Sequence, residues 1–110
     1  MEEPKTRYVL LLPLNYNDGS VVPREVLTGM LDEIFVLAGG YSIAGTVKGA
    51  YRMQDGTKQE DDSLQVWIGV WEHEVPELEA MVSRFGKALG QETMYLERTG
   101  GAISFIPPAE

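Results

Sequence analysis

Three residues with chemically useful side chains flank the turn of a long candidate hairpin: Tyr51, Arg52 and Glu60. A phenol can donate or accept a proton, and a guanidinium can hold an anion. Arg52 and Glu60 could also pair across the hairpin, and an exposed pair of this kind contributes only about 0.2–1 kcal/mol to stability. The pattern therefore favours a structural ion pair on the surface over a catalytic site.

The sequence holds a single histidine, His73, between Glu72 and Glu74, and it holds no cysteine. One histidine excludes a two-histidine mechanism or a histidine-based metal site within one subunit. The lack of cysteine excludes disulfides, thiolate nucleophiles and cysteine-ligated zinc. We expect His73 to be an exposed loop residue at the junction of a strand and a helix.

An acidic run, Glu60-Asp61-Asp62, follows Asp55 in the candidate turn. Such carboxylates could hold Ca²⁺ or Mg²⁺, but the spacing is not that of a calcium loop. The glycines at Gly45 and Gly49 match neither a phosphate loop nor a dinucleotide fingerprint, and no serine has the surroundings of a nucleophile elbow. The sequence therefore predicts no metal and no cofactor.

The chemistry-bearing residues lie on a hairpin with arms at Tyr41–Met53 and Ser63–Glu72, joined by a polar turn over residues 54–62. The second arm alternates between aliphatic side chains and a face that carries Trp67 and Trp71. A period of two is typical of a strand. We predict that one row lies in the core, and this row comprises Leu64, Val66, Ile68 and Val70.

The other elements complete a β-α-β-β-α-β order. Apolar periodicity predicts strands at residues 8–14, 91–98 and 102–106, with a turn at Thr99–Gly101. One helix should begin at Pro23 and end at Gly39, and another should begin at Pro76 and end at Gly90. The first helix should bury a stripe of Val26, Leu27, Met30, Leu31, Ile34, Phe35 and Ala38. This order predicts one ferredoxin-like α+β domain over residues 1–110, with an antiparallel sheet, two helices on one face and a short extra C-terminal strand.

Two helices on one face of the sheet leave the other face uncovered. Trp67, Trp71 and Tyr95 are expected on this helix-free face, together with one side of the first strand. A large exposed apolar patch usually marks an interface or a ligand site. We therefore expect a homodimer through this face, with a small-molecule cleft as the alternative.

Charge and composition limit the partners. The chain has 110 residues, 44% of them hydrophobic, and a net charge of −8. Such an acidic surface disfavours nucleic acid and anionic membranes. The charged N-terminus and the short apolar run that follows it predict a cytoplasmic protein without a signal peptide or membrane span.

Several short motifs resemble a family of small bacterial proteins known only as a domain of unknown function. They are Gly40-Tyr41-Ser42, Gly49-Ala50-Tyr51-Arg52, Gly56, Glu60, Ser63 and Gln91-Glu92. The resemblance covers about Gly40 to Tyr95. It implies a ferredoxin-like fold and no established activity.

Two functions follow as hypotheses. The first is a non-catalytic homodimeric binding or interaction module. The alternative is a small dimeric α/β-barrel-type enzyme that acts on a small aromatic or ketonic substrate, with Tyr51 or His73 as the acid or base and Arg52 as an anion anchor. The candidate ligand or interface residues are Tyr51, Arg52, Glu60, Trp67, Trp71 and Tyr95.

Overall fold

One antiparallel sheet of four strands, with two helices on one face, accounts for most of residues 4–103, which the computed structural model describes together with residue 109. The elements are β1 (Lys5–Pro13), α1 (Arg24–Ala38), β2 (Ser42–Arg52), β3 (Lys58–Val70), α2 (Val75–Ala88) and β4 (Leu96–Ile103). The strand order is β2-β3-β1-β4, which is the ferredoxin-like arrangement predicted from the sequence. Among the described residues, no helix is long and apolar enough to cross a membrane.

The aliphatic row of β3 forms the centre of the core, as predicted. Val66, Ile68 and Val70 are fully buried, and Leu64 packs partly buried against the same cluster. Leu78 of α2 is fully buried in this cluster as well. The odd-numbered positions of β3 consequently face away from the helices.

Strand β1 is apolar on both of its faces. Leu10 and Leu12 are fully buried on the helix side, whereas Val9 and Leu11 are half-buried on the helix-free side. Because β1 pairs with β3 and β4, it occupies a central position in the sheet. The helix-free face thus has an apolar centre.

The ends of α1 follow from Pro23 and Gly39. Pro23 is the residue before the first turn, and Gly39 stops the helix with φ +79° while its N–H donates to the Phe35 carbonyl oxygen at 2.8 Å. The prediction that Phe35 belongs to the buried stripe was wrong, since its side chain is 57% exposed. The stripe centres on Met30 and Ile34, and a residue directly after Ile34 points about 100° away from it.

The turn of the hairpin is shorter than the nine residues predicted. Asp55 accepts hydrogen bonds from the Thr57 N–H at 2.9 Å and from the Thr57 hydroxyl at 2.6 Å, and Gly56 has φ +88°. Strand β3 then begins at Lys58, so the acidic run is part of the strand. Residues 58 to 62 pair with β2 but extend past the end of the pairing with β1.

The C-terminal strands predicted on either side of Thr99–Gly101 are one strand among the described residues. Thr6 pairs with Ala102 and Tyr8 pairs with Arg98, so three residues of β4 stand opposite one residue of β1 and form a bulge within the strand. Two glycines made the segment look like a turn, but glycine also permits a bulge within a strand. The rest of the predicted extra strand, residues 104–106, lies outside the described residues.

Candidate functional site

Two tyrosines from the two edges of the sheet line one cleft on the helix-free face. Tyr51 lies on β2 opposite Gln59, and Tyr95 precedes β4, where its carbonyl oxygen accepts a hydrogen bond from the Leu11 N–H at 3.2 Å. The cleft has a volume of about 290 Å³, and we call it the Tyr51–Tyr95 cleft. Tyr95 is predicted to lie on the helix-free face, and it lines this cleft together with Leu11.

The floor of the Tyr51–Tyr95 cleft comes from the central strands. Leu11 and Pro13 of β1 and Ser63 of β3 line it, and Pro13 lies directly opposite Ser63 in the sheet. All three have odd numbers, so the alternation of the strands places them on the helix-free face. An apolar floor beneath polar walls is typical of a small-molecule site.

Gly49 allows the Tyr51 ring to lie back along β2. A Cβ atom added at Gly49 would lie 2.6 Å from the Tyr51 hydroxyl oxygen and 2.7 Å from the ring. Real side chains do not approach this closely, so the position of the ring depends on the absence of a side chain at residue 49. Gly49 does not itself line the cleft, but it permits the position of the Tyr51 ring that does.

The polar wall of the cleft carries more carboxylates than cations. Asp61 and Glu92 line it, whereas Arg52 is the only cation that does so among the described residues. The side-chain amide of Gln59 donates to the Asp61 carboxylate at 3.4 Å. Gln91, which also lines the cleft, donates to the Asn17 side-chain oxygen at 3.2 Å.

Tyr95 is held by the residue two positions along the chain. Its hydroxyl donates to the Glu97 carboxylate at 2.6 Å. This hydrogen bond, followed by the negative charge of Glu97, raises the pKa of Tyr95 above its ordinary value of 10.0. The phenol of Tyr95 is therefore a neutral group near pH 7.

Both indoles on the helix-free face lie beneath cations. The Arg7 guanidinium lies 4.4 Å from the centre of the Trp67 ring, and the Lys5 ammonium lies 4.2 Å from that of Trp71. The Trp67 Nε1–H donates to the Gln65 side-chain oxygen at 2.9 Å. Neither cation was predicted to lie here, although their odd numbers on β1 place them on the same face as the indoles.

The structure does not bring Arg52 and Glu60 together as an ion pair. Glu60 instead contacts Lys58 at 3.2 Å. In the register of the hairpin, Glu60 lies opposite Ala50 and Arg52 lies opposite Lys58. Because Tyr51 projects to the helix-free face and Glu60 to the other, the three candidates around the turn do not form one site.

The acidic run is divided between the two faces of β3 for the same reason. Asp61 lines the Tyr51–Tyr95 cleft, whereas Asp62 lies on the other face and contacts Lys48 at 3.5 Å. Within residues 4–103 and 109, no three histidine or acidic side chains lie close enough to hold a metal ion together.

His73 lies at the other end of β3 from Tyr51. It occupies the short 3₁₀ turn Glu72–Glu74, is exposed as predicted, and stacks on Trp71 with 6.1 Å between the ring centres. Tyr51 and His73 therefore belong to different parts of the molecule. Of these two candidate acid or base groups, only Tyr51 lines the cleft.

No family model matches the chain, and no curated protein matches it. The resemblance to the uncharacterised bacterial family stays a prediction. Several solved structures share the fold. A phage SAM lyase in complex with S-methyl-5'-thioadenosine has a TM-score of 0.71 at 15% identity, with 97% of this chain and 93% of that chain covered.

Two further structures with this fold are CutA1 proteins. The divalent cation tolerance protein CutA1 from Thermus thermophilus has a TM-score of 0.60 at 18% identity, over 96% of this chain and 85% of that chain. CutA1 from Oryza sativa has a TM-score of 0.54 at 18% identity, over 94% and 84%. At these identities the three similarities establish the ferredoxin-like fold alone.

Proposed function

We propose that the protein is a binding module for a small aromatic ligand of the adenosyl type, and that the ligand occupies the Tyr51–Tyr95 cleft. The observation that carries this proposal is the placement of two phenol rings and two carboxylates around one cleft. Stacking of a nucleobase on an aromatic side chain contributes about 1–3 kcal/mol per base. Tyr51 and Tyr95 would supply such stacking surfaces.

The charge of the cleft favours a ligand that carries a positive group. Asp61 and Glu92 outnumber Arg52 there, and aromatic faces also attract cations. One solved structure with this fold is a phage SAM lyase with S-methyl-5'-thioadenosine bound. S-adenosylmethionine is a sulfonium cation, and S-methyl-5'-thioadenosine is the neutral thioether that contains the same adenosyl group. Both compounds are thus suitable probes.

Calorimetric titration with the two compounds tests the binding proposal. Tyr51→Ala should weaken both by roughly 5- to 150-fold, which corresponds to the loss of one stacking contact. Asp61→Asn should weaken the sulfonium more than the thioether, because only the sulfonium is charged. Tyr41→Ala, an exposed tyrosine that does not line the cleft, is the matched control. Wild-type protein that binds neither compound at millimolar concentration contradicts the proposal.

A second copy of the chain would cover the helix-free face. Val9 and Leu11 are half-buried on this face, Trp67 is 37% exposed, and no described element of the same chain lies over them. The cleft of about 290 Å³ is also at the lower limit for sites that enclose a drug-sized ligand. A homodimer with two-fold symmetry would bury the apolar centre and enclose the cleft further.

Sedimentation equilibrium of charge variants tests the homodimer. Trp67→Glu should place a carboxylate in the interface and shift the protein toward monomer. Phe35→Glu makes the same kind of change at a 57% exposed site on α1 and should leave the association unchanged. A wild type that is monomeric at tens of micromolar contradicts the homodimer.

An enzymatic alternative acts on the same ligand class. Release of S-methyl-5'-thioadenosine from S-adenosylmethionine breaks the bond between the sulfur and the amino-acid chain, and the electron pair of that bond stays on the sulfur. The oxygen of a water molecule bonds to the freed carbon, so the other products are homoserine and one proton. In this cleft, Asp61 would stabilise the sulfonium on binding and Arg52 would hold the ligand carboxylate. Tyr51 would be the acid or base.

Incubation of the protein with S-adenosylmethionine separates the two functions. Recovery of the unchanged compound supports the binding module. Accumulation of S-methyl-5'-thioadenosine supports the enzyme, and Tyr51→Phe should then lower the rate while it preserves most of the binding, since the ring remains.

A further inference from the structure

A second concave site lies at the start of β1, at the opposite end of that strand from the Tyr51–Tyr95 cleft. It has a volume of about 450 Å³, and Lys5, Arg7, Gly40, Ser42 and Trp67 are among the residues that line it. We call it the Arg7 pocket. Its lining carries two cations and no carboxylate among the described residues, which is unexpected in a chain with 17 acidic and 9 basic side chains.

Arg7 is arranged so that the edge of its guanidinium remains available. Its partner across the sheet is Gly69, which has no side chain, and the guanidinium lies over the Trp67 ring. Stacking uses the flat face of a guanidinium and leaves its N–H groups in the plane to bind an acceptor. The Arg7 Nε is buried and has no hydrogen-bond partner in the described part of the chain. An unpaired buried donor of a charged group is destabilising. Arg7 as a whole is only partly buried, so an acceptor in the pocket would reach the guanidinium through its terminal nitrogens.

Lys5 supplies the second positive charge of the pocket. Its ammonium donates to the Ala38 carbonyl oxygen at 2.7 Å, at the C-terminal end of α1, and lies over Trp71. These partners orient the ammonium, but neither carries a full negative charge. The four ion pairs found in residues 4–103 involve Lys48, Lys58, Arg84 and Arg98, so Lys5 and Arg7 are both left without a carboxylate there.

The loop between α1 and β2 leaves room for a ligand beside these cations. Gly39 has φ +79°, and a Cβ atom added at Gly39 or Gly40 would meet no atom within 4 Å. Ser42 contributes a hydroxyl to the lining. We infer that the Arg7 pocket binds a small oxyanion, the carboxylate or phosphate group of a metabolite, through Arg7 and Lys5.

Anion titrations at constant ionic strength test this inference. Acetate and inorganic phosphate, each exchanged against chloride, are the two probes, and they distinguish a carboxylate ligand from a phosphate ligand. Both tryptophans of the chain lie beneath the two cations, so tryptophan fluorescence reports directly on the pocket. At least one probe should shift the emission of the wild type with a saturable titration.

Variants that each remove one positive charge show whether the anion binds in the Arg7 pocket. Arg7→Gln should weaken the bound anion by roughly 10- to 100-fold, the usual loss when a charged hydrogen-bond donor is removed. Lys5→Gln should weaken it in the same direction and serves as the second variant if Arg7→Gln does not fold. Arg24→Gln removes the same charge at an exposed site that does not line the pocket, and it should bind like the wild type.

Two outcomes would overturn the inference. One is a wild type whose fluorescence does not respond to either anion at tens of millimolar. Another is an equal loss in Arg24→Gln, since that would mean that only the overall charge matters. If the wild type binds neither anion and Arg7→Gln also self-associates more weakly by sedimentation, the acceptor for Arg7 is a carboxylate of a second copy.

Discussion

The hydroxyl of Tyr95 donates a hydrogen bond to the carboxylate of Glu97, with 2.6 Å between the two oxygens. Both residues are exposed at the edge of the sheet that borders the Tyr51–Tyr95 cleft. The contact exists only while the phenol is protonated, which is why it raises the pKa of Tyr95. Tyr95 therefore acts in the cleft as a neutral ring. The hydroxyl of Tyr51, the other phenol of the cleft, makes no hydrogen bond within the described part of the chain.

Glu97→Gln should lower the pKa of Tyr95 toward its ordinary value of 10.0, because it removes the charged acceptor. A tyrosine with a raised folded-state pKa stabilises the fold below its unfolded-state pKa, and this contribution is lost as the pH rises through the folded-state pKa. The stability advantage of the wild type over Glu97→Gln should therefore be complete at pH 7 and decline above about pH 10. Ultraviolet absorbance of tyrosinate measures the pKa of Tyr95, and Tyr95→Phe assigns the transition. Chemical denaturation at several pH values measures the stability difference. Identical titrations of wild type and variant would contradict the contact.

Gly49→Ala should disturb the cleft more than the fold. The added methyl group would force the Tyr51 ring away from β2, but Tyr51 is 42% exposed and can swing into solvent. We expect a loss of ligand affinity with a stability change below about 1 kcal/mol. Gly100→Ala is the control, since a Cβ atom there would meet nothing within 4 Å. Equal affinity of Gly49→Ala and wild type would show that the ring position is unimportant.

Val66→Ala should destabilise the protein by about 1–3 kcal/mol, because it removes two methyl groups from a fully buried side chain in the centre of the core. Chemical denaturation gives the free energy of unfolding. Val36→Ala is the matched control, since Val36 is 84% exposed on α1 and should change stability little. Equal effects at the two positions would contradict the orientation of β3.

Gly29→Ala should stabilise the protein by about 0.5–1 kcal/mol, because Gly29 lies inside α1 and alanine is the better helix former there. The added methyl group would meet no atom within 4 Å. Gly39→Ala provides the contrast, since φ +79° is unfavourable for alanine and the variant should be less stable. Thermal unfolding of both variants shows whether each change raises or lowers the stability. A Gly29→Ala variant that is less stable than the wild type would refute the predicted stabilisation.

The faces of β3 could be predicted from the sequence because alternation is a local property. Val66 and Trp67 are neighbours along the chain, and their opposite directions follow from the pleat of the strand alone. The meeting of Tyr51 and Tyr95 could not be predicted in this way. These two lie on opposite edges of the sheet, so their proximity depends on strand order and register, which arise from contacts between distant segments.

The polar composition of the first part of β3 predicts a turn, although the segment is a strand. Lys58 and Glu60 are exposed, and Asp61 is only half-buried. A two-stranded segment with solvent on both faces has no apolar row, so its hydrophobicity does not alternate. The missing signal therefore reflects the position of the segment beyond β1 rather than its backbone conformation.

The extension of β3 past β1 gives the two walls of the cleft different mechanical properties. Tyr51 and Gln59 belong to a two-stranded ribbon, and such a ribbon opens at lower free energy than a sheet buried beneath helices. Amide hydrogens of this ribbon should exchange with deuterium well before those of Val66 and Ile68. The width of the cleft should consequently vary as the ribbon moves. A bound ligand that bridges Tyr51 and Tyr95 would slow the exchange of the ribbon.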